Sequence, residues 1–127
     1  MSLVSFPSWG LTLDDLVERG GLYYKKFSDV PFTDQVNEER RKGSIKNGQY
    51  DGSWVYYYGN GQLLRKGNFK NDEREGLWEG YHENGRLFYK GNYRNGKKED
   101  FWESYNEDGT INLQWNGTFK NGVKVSD

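Results

Sequence analysis

Residues 91–98 read GNYRNGKK and come within one residue of the GxxxxGK[ST] loop that cradles phosphates. That chemistry needs a hydroxyl after the lysine to hold Mg²⁺, a strand before the loop and a helix after it. Lys98 stands in the hydroxyl position and no helical pattern follows. The spacing recurs without the lysine at residues 43–48 and 117–122, so it reads as a recurring turn rather than a nucleotide site. Residues 106–109, NEDG, resemble a fragment of a calcium loop, but the corresponding positions are Gly59-Asn60-Gly61 and Glu83-Asn84-Gly85. The carboxylates are not carried from copy to copy and the full ligand pattern is absent. His82 is the only histidine, and a lone imidazole makes neither a metal centre nor a catalytic triad. It shares its column with Tyr58 and Asn106 and reads as a partly exposed sheet residue. With no cysteine, thiolate ligands, disulfides and a Cys nucleophile are excluded. Carboxylates are plentiful, yet nothing marks out a catalytic pair. The sequon at Asn116-Gly117-Thr118 coincides with a repeat glycine. The expectation is a non-enzyme without cofactor or metal.

The elements that position these residues come from an internal repeat. Gly43, Gly67 and Gly91 are spaced 24 residues apart. The same period carries Trp54, Trp78 and Trp102, then Tyr57, Tyr81 and Tyr105, then Gly61, Gly85 and Gly109. Four columns in one register define repeats at 43–66, 67–90 and 91–116, with a truncated copy at 117–127 after a two-residue slip. A degenerate opening unit is expected over 21–42, preceded by an extension over 1–20.

Each unit holds two turns. One sits at Asn47-Gly48, Asn71-Asp72, Asn95-Gly96 or Asn121-Gly122, and the other at Asn60-Gly61, Asn84-Gly85 or Asp108-Gly109. Asn and Gly tolerate the positive φ of tight hairpin turns, so a meander of antiparallel strands follows. Alternation puts Leu87, Tyr89, Gly91 and Tyr93 on one side of a strand, and Trp78 opposite Leu77 and Tyr81. A glycine within a strand is unfavourable unless a neighbour uses the vacancy. The expected occupant at Gly43, Gly67 and Gly91 is an aromatic ring from the next strand.

Composition agrees with this all-β reading. There is no alanine, and aromatic residues number 22 (5 Trp, 10 Tyr and 7 Phe). The 29% charged residues suggest disorder, but the net charge of −1 and the many aromatics argue for a folded chain with an aromatic core. At the N-terminus, Thr12 and Asp15 form a capping-box pattern, with Leu13, Leu16 and Val17 on one face before Gly20. One short capping helix is predicted there. A hairpin over 22–36, broken at Asp29-Val30-Pro31, is predicted next, and residues 38–42 are read as a solvated charged loop.

With the unit GNYRNGKKEDFWESYNEDG written out, the chain resembles the MORN-repeat proteins. It is similar in particular to the bacterial YwqK-type variant, whose repeats run G-x-[YF]-x-N-G-x-x-x-G-x-W-x-x-Y-x-x-N-G-x-L. The resemblance covers about residues 21–125, and GLYYKKFSDVPFTDQV looks like that family's lead-in. Asp100 stands where the family has glycine, and Thr110-Ile111 replaces its polar-Leu pair. The resemblance implies an elongated, twisted antiparallel sheet of hairpins and an interaction role, antitoxin-like in some bacterial members. Eukaryotic members imply scaffolding and membrane contact.

Three partner classes follow. Protein binding or scaffolding draws on exposed Tyr and Trp, with Tyr56, Tyr58, His82 and Phe88 as candidate contacts alternating away from the core. Carbohydrate or cell-wall binding is the alternative, although such aromatic modules have shorter repeats. Membrane contact ranks last and nucleic acid is not expected, because no segment carries a basic stripe. A homodimer through an open sheet edge is an expectation from the truncated last repeat. No apolar run approaches the roughly 18 residues that would span a bilayer. A secreted or envelope location is expected if a signal peptide was removed ahead of Val4, and a cytoplasmic one otherwise.

Overall fold

The computed structural model describes residues 11–127. A single 3-10 turn, Leu13–Asp15, precedes eleven strands among these residues. They are β1 (Leu16–Arg19), β2 (Leu22–Lys25), β3 (Asp34–Asn37), β4 (Arg41–Lys46), β5 (Gln49–Tyr57) and β6 (Leu63–Lys70). There follow β7 (Glu73–Tyr81), β8 (Leu87–Arg94), β9 (Lys97–Ser104), β10 (Gly117–Lys120) and β11 (Val123–Ser126). Strands β3 to β11 form one nine-stranded sheet in which every strand lies beside its sequence neighbours. All these pairings are antiparallel, so the fold is the all-β hairpin meander that the repeats require.

The turns explain the connectivity. Asn47, Asn71, Asn95 and Asn121 have φ of 50–51°, and the residues that follow them have φ of 68–84°. Two successive positive φ values give the type I′ geometry whose twist matches the flanking strands. At the opposite sheet end, Gly61, Gly85 and Gly109 take φ of 87–90°. There the side chains of Asn60, Asn84 and Asp108 accept the amide two residues on, closing the loops.

A bulge in every repeat directs the tryptophan. Lys42 pairs with Val55 and Ser44 with Asp51, so Gly43 alone faces Gly52, Ser53 and Trp54. The same two-residue excess recurs at Gly67 and Gly91. The bulge swings each indole back over its glycine. A Cβ at Gly43, Gly67 or Gly91 would lie 2.1–2.2 Å from Trp54, Trp78 or Trp102. The indole nitrogen then donates to the carbonyl of the next residue, Ser44, Asn68 or Asn92, at 2.9–3.0 Å. All three tryptophans are at most 1% exposed. They line up on one surface, called here the tryptophan face.

The lead-in differs from its sequence expectation. The capping box at Thr12 and Asp15 is present, but it starts only the 3-10 turn. Leu16 and Val17 instead enter β1, which pairs with β2 across Gly20-Gly21. With φ of 59° and 81°, these two glycines form a hairpin turn where the pattern suggested a helix stop. Strand β2 therefore pairs backwards with β1, while β3 pairs forwards with β4. The expected 22–36 hairpin is reduced to an antiparallel bridge between Tyr24 and Pro31, with the Phe32 amide donating to the Tyr23 carbonyl at 2.9 Å. Residues 38–42 are likewise more than a solvated loop. Arg41 and Lys42 open β4, and Glu38 pairs with Arg41 and accepts the Leu13 amide at 2.8 Å. Burial opposes ionisation of Glu38, but these hydrogen bonds outweigh it and hold its pKa below the ordinary value. The lead-in thereby packs Leu11, Leu13, Leu16, Tyr23 and Phe32 around Val36, Ile45 and Trp54. Trp78, Trp102 and Phe119 form a second core farther along the sheet.

Candidate binding site

One repeat column decides what covers each indole from the side away from its glycine. Four residues before Trp54 stands Tyr50, before Trp78 stands Arg74, and before Trp102 stands Lys98. Tyr50 stacks on Trp54 with centroids 4.2 Å apart and planes within 7°. Burial, reinforced by neighbouring phenols, pushes the Tyr50 pKa far above the ordinary tyrosine value. The next two repeats replace this aromatic lid with a cation. The Arg74 guanidinium carbon lies 5.0 Å from the Trp78 ring and 5.5 Å from Tyr93. Its Nη1 donates to the Tyr93 hydroxyl at 3.1 Å. The Lys98 ammonium lies 4.8 Å from Trp102, 5.0 Å from Phe119 and 5.5 Å from Trp115. Burial, then the Arg74 charge, lowers the Lys98 pKa below the ordinary lysine value.

The two cations border a recess of about 300 Å³ on the tryptophan face. Its remaining walls are Phe88, Tyr89, Tyr93, Trp102, Ser104 and Trp115. The two-residue slip after the third repeat supplies Trp115. Asn112 accepts the Gln114 and Trp115 amides on its side chain, and the Asn116 carboxamide oxygen accepts the Ser104 amide. This extra turn holds Trp115 over Lys98 while leaving it 48% exposed. No carboxylate lines the recess, and neither Arg74 nor Lys98 joins an ion pair among the described residues.

The opposite face has another character. Cross-strand register runs Lys66, Glu79, Lys90, Glu103 across β6 to β9, a row of alternating charge. Such a row suits a solvated surface in which each charge has an opposite neighbour.

The four residues expected as contacts are placed differently from one another. Tyr56 is on the tryptophan face rather than away from the core, because it pairs with Arg65 two positions along from the Trp54–Gly67 pair. Its ring packs 6.2 Å from Trp54 and under the Arg65 guanidinium at 4.5 Å. Tyr58 and His82 tie one repeat to the next. The Tyr58 hydroxyl donates to the Tyr81 carbonyl at 2.6 Å, and His82 Nε2 lies 2.9 Å from the Tyr105 carbonyl. His82 also stacks on Phe88 at 4.3 Å, and Phe88 reaches the recess. The structure thus brings His82 and Phe88 together, with Phe88 alone of the four at the recess wall, while Tyr56 belongs to the packed face beside it. Arg74, Lys98 and Trp115 were not singled out as contacts. The first two carry a legible signal, the column four residues before each tryptophan, whereas Trp115 falls outside the repeat register.

The chemical motifs take ordinary structural positions. Residues 91–98 run from β8 through the Asn95-Gly96 turn into β9, with no helix beyond. Asp108 accepts the Thr110 hydroxyl at 2.6 Å and its amide at 2.9 Å, and these bonds hold its carboxyl below the ordinary range. Among the described residues no three His, Cys, Asp or Glu side chains gather as a metal site, and no helix is long and apolar enough to cross a membrane.

Residues 50–71 and 74–95 match the family model described as MORN repeat variant. These two segments cover adjacent hairpins, β5–β6 and β7–β8. No curated protein matches the chain significantly.

Proposed function

We propose that the chain is a non-catalytic MORN-like module of the YwqK type that binds or scaffolds a partner protein. The docking surface is the tryptophan face of the second and third repeats. The observation that carries this reading is the open recess bordered by Arg74, Lys98 and Trp115. Arginine, tryptophan and tyrosine anchor interfaces because they bury large areas with few rotamers to freeze. In the first repeat the same face is filled by the chain's own lead-in, so self-packing there foreshadows partner packing further along. The match to a repeat family commonly used for binding or scaffolding supports the same class. Neutralisation of a partner, as in antitoxin-like relatives, is one form such binding takes.

Quantitative capture from source lysate and envelope fractions tests it, with wild type, Trp115→Ser and the opposite-face control Leu77→Ser as baits. The reading expects one enriched protein, lost with Trp115→Ser and retained with Leu77→Ser, both variants keeping the wild-type unfolding transition. Enrichment of wall glycan, or equal loss with both variants, would contradict it.

A further inference from the structure

Arg74 and Lys98 border one recess with no counter-ion of their own among the described residues. Aromatic faces ease the burial of a cation but accept no strong N–H hydrogen bond. The recess therefore offers several donors and lacks an anionic acceptor. Tyr93 adds one more, because its hydroxyl oxygen accepts from Arg74 and keeps its own hydrogen to give. Ser104, 2% exposed, brings a further hydroxyl to the wall. Around these polar groups stand Phe88, Tyr89, Trp102 and Trp115, an apolar rim suited to a hydrocarbon or aromatic neighbour of the anion.

We propose that this recess is a carboxylate site, which receives an Asp or Glu side chain of the partner flanked by an apolar or aromatic residue. The inference rests on the reading of this face as a protein-docking surface and specifies what that surface recognises. Charge complementarity selects the occupant: a net dication without a carboxylate wall favours an anion, and a planar carboxylate matches the guanidinium fork of Arg74. An acidic segment also explains why the column that is tyrosine in the capped first repeat becomes Arg and then Lys where the face lies open. A neutral sugar hydroxyl accepts from these donors but leaves both charges uncompensated, which a carboxylate does not.

The test follows the tryptophan indole resonances of the full chain during titration with the blocked peptide Ac-Phe-Glu-Phe-NH2. Its isostere Ac-Phe-Gln-Phe-NH2 and free 3-phenylpropionate are titrated in parallel. The glutamate peptide is expected to shift Trp102 and Trp115 and to bind roughly tenfold tighter than the glutamine peptide. Arg74→Gln and Lys98→Met should each weaken it by roughly tenfold, the methionine keeping an apolar stem over Trp102. Lys90→Met on the opposite face should leave it unchanged. Equal binding of the two peptides overturns the proposal, as does binding of 3-phenylpropionate with neither peptide, which would mark a small-acid pocket. Partner capture that is lost with Trp115→Ser but unaffected by Lys98→Met would overturn the carboxylate site and leave the docking face standing.

Discussion

At the residue scale, the fold depends on a vacancy. Gly67 has no Cβ because the Trp78 ring occupies that space at 2.1 Å, and rigid indole against backbone cannot yield cheaply. Gly67→Ala should therefore destabilise the chain by about 2–3 kcal/mol in denaturant unfolding, through overpacking rather than through lost contacts. Asp100 shows the converse. It occupies the bulge position held by Gly52 and Gly76 and carries φ of 65° where they have 74° and 72°. An L residue in this conformation is strained by about 1 kcal/mol, Asp somewhat less than most. Asp100→Gly should relieve that strain, but the entropy glycine adds to the unfolded chain, about 0.5–1 kcal/mol, offsets most of it. The unfolding free energy should therefore change by less than about 0.5 kcal/mol. A fall of more than about 1 kcal/mol would mean that the aspartate makes a compensating contact. Departure from the repeat pattern was legible at Asp100; the bulge that makes it costly was not, because periodicity does not reveal register.

At the element scale, hairpins are joined by recurring cross-repeat bonds. Gly96 and Gly122 donate backbone amides to the Arg74 and Lys98 carbonyls of the preceding repeat, at 3.0 and 2.9 Å. At the other sheet end Tyr58 and His82 perform the same service with side chains. Tyr58→Phe removes one such bond and should cost about 1 kcal/mol in thermal or denaturant unfolding. On the opposite face, Glu79→Lys would set a cation beside Lys66 and Lys90 and should cost about 0.5–1 kcal/mol, with the loss shrinking in high salt. An effect independent of salt would mean that packing, not charge, governs that row. The turns of the 24-residue repeats were readable from Asn-Gly, Asn-Asp and Asp-Gly. The lead-in was not, since Leu13, Leu16 and Val17 fit a helix face as well as a short strand. Tertiary pairing with Leu22–Lys25 decided between them. The contact residues were only partly readable for a related reason. Alternation from Trp54 does set Tyr56 on the tryptophan face, but the sequence does not say which face holds the core or how far the lead-in covers it.

At the scale of the whole molecule, one sheet carries two different surfaces along its length. The tryptophan face is closed by the lead-in over the first repeat and open over the second and third. Burial there also shapes the pH response. Tyr50, Tyr56, Tyr81 and Tyr89 all have pKa values raised by burial from the ordinary 10.0. Above that value the unfolded chain loses phenolic protons that the folded chain keeps, so folding stability should fall as pH rises beyond about 10. Lys98 acts in the other direction, since its lowered pKa makes it a folded-state penalty that disappears as pH rises into the ordinary lysine range. Four tyrosines outnumber one lysine, and unfolding followed between pH 8 and 11 should show net alkaline destabilisation. Flat or rising stability would mean that the buried phenols are solvated.

The division into a docking face and a solvated face is tested most directly by side-chain footprinting with hydroxyl radicals, with and without the captured partner. Protection of Trp115, Phe88 and Tyr89, with Leu77 and Phe101 labelled as before, is the predicted result. Protection of Leu77 and Phe101 with Trp115 still reactive would place the partner on the opposite face and contradict the account.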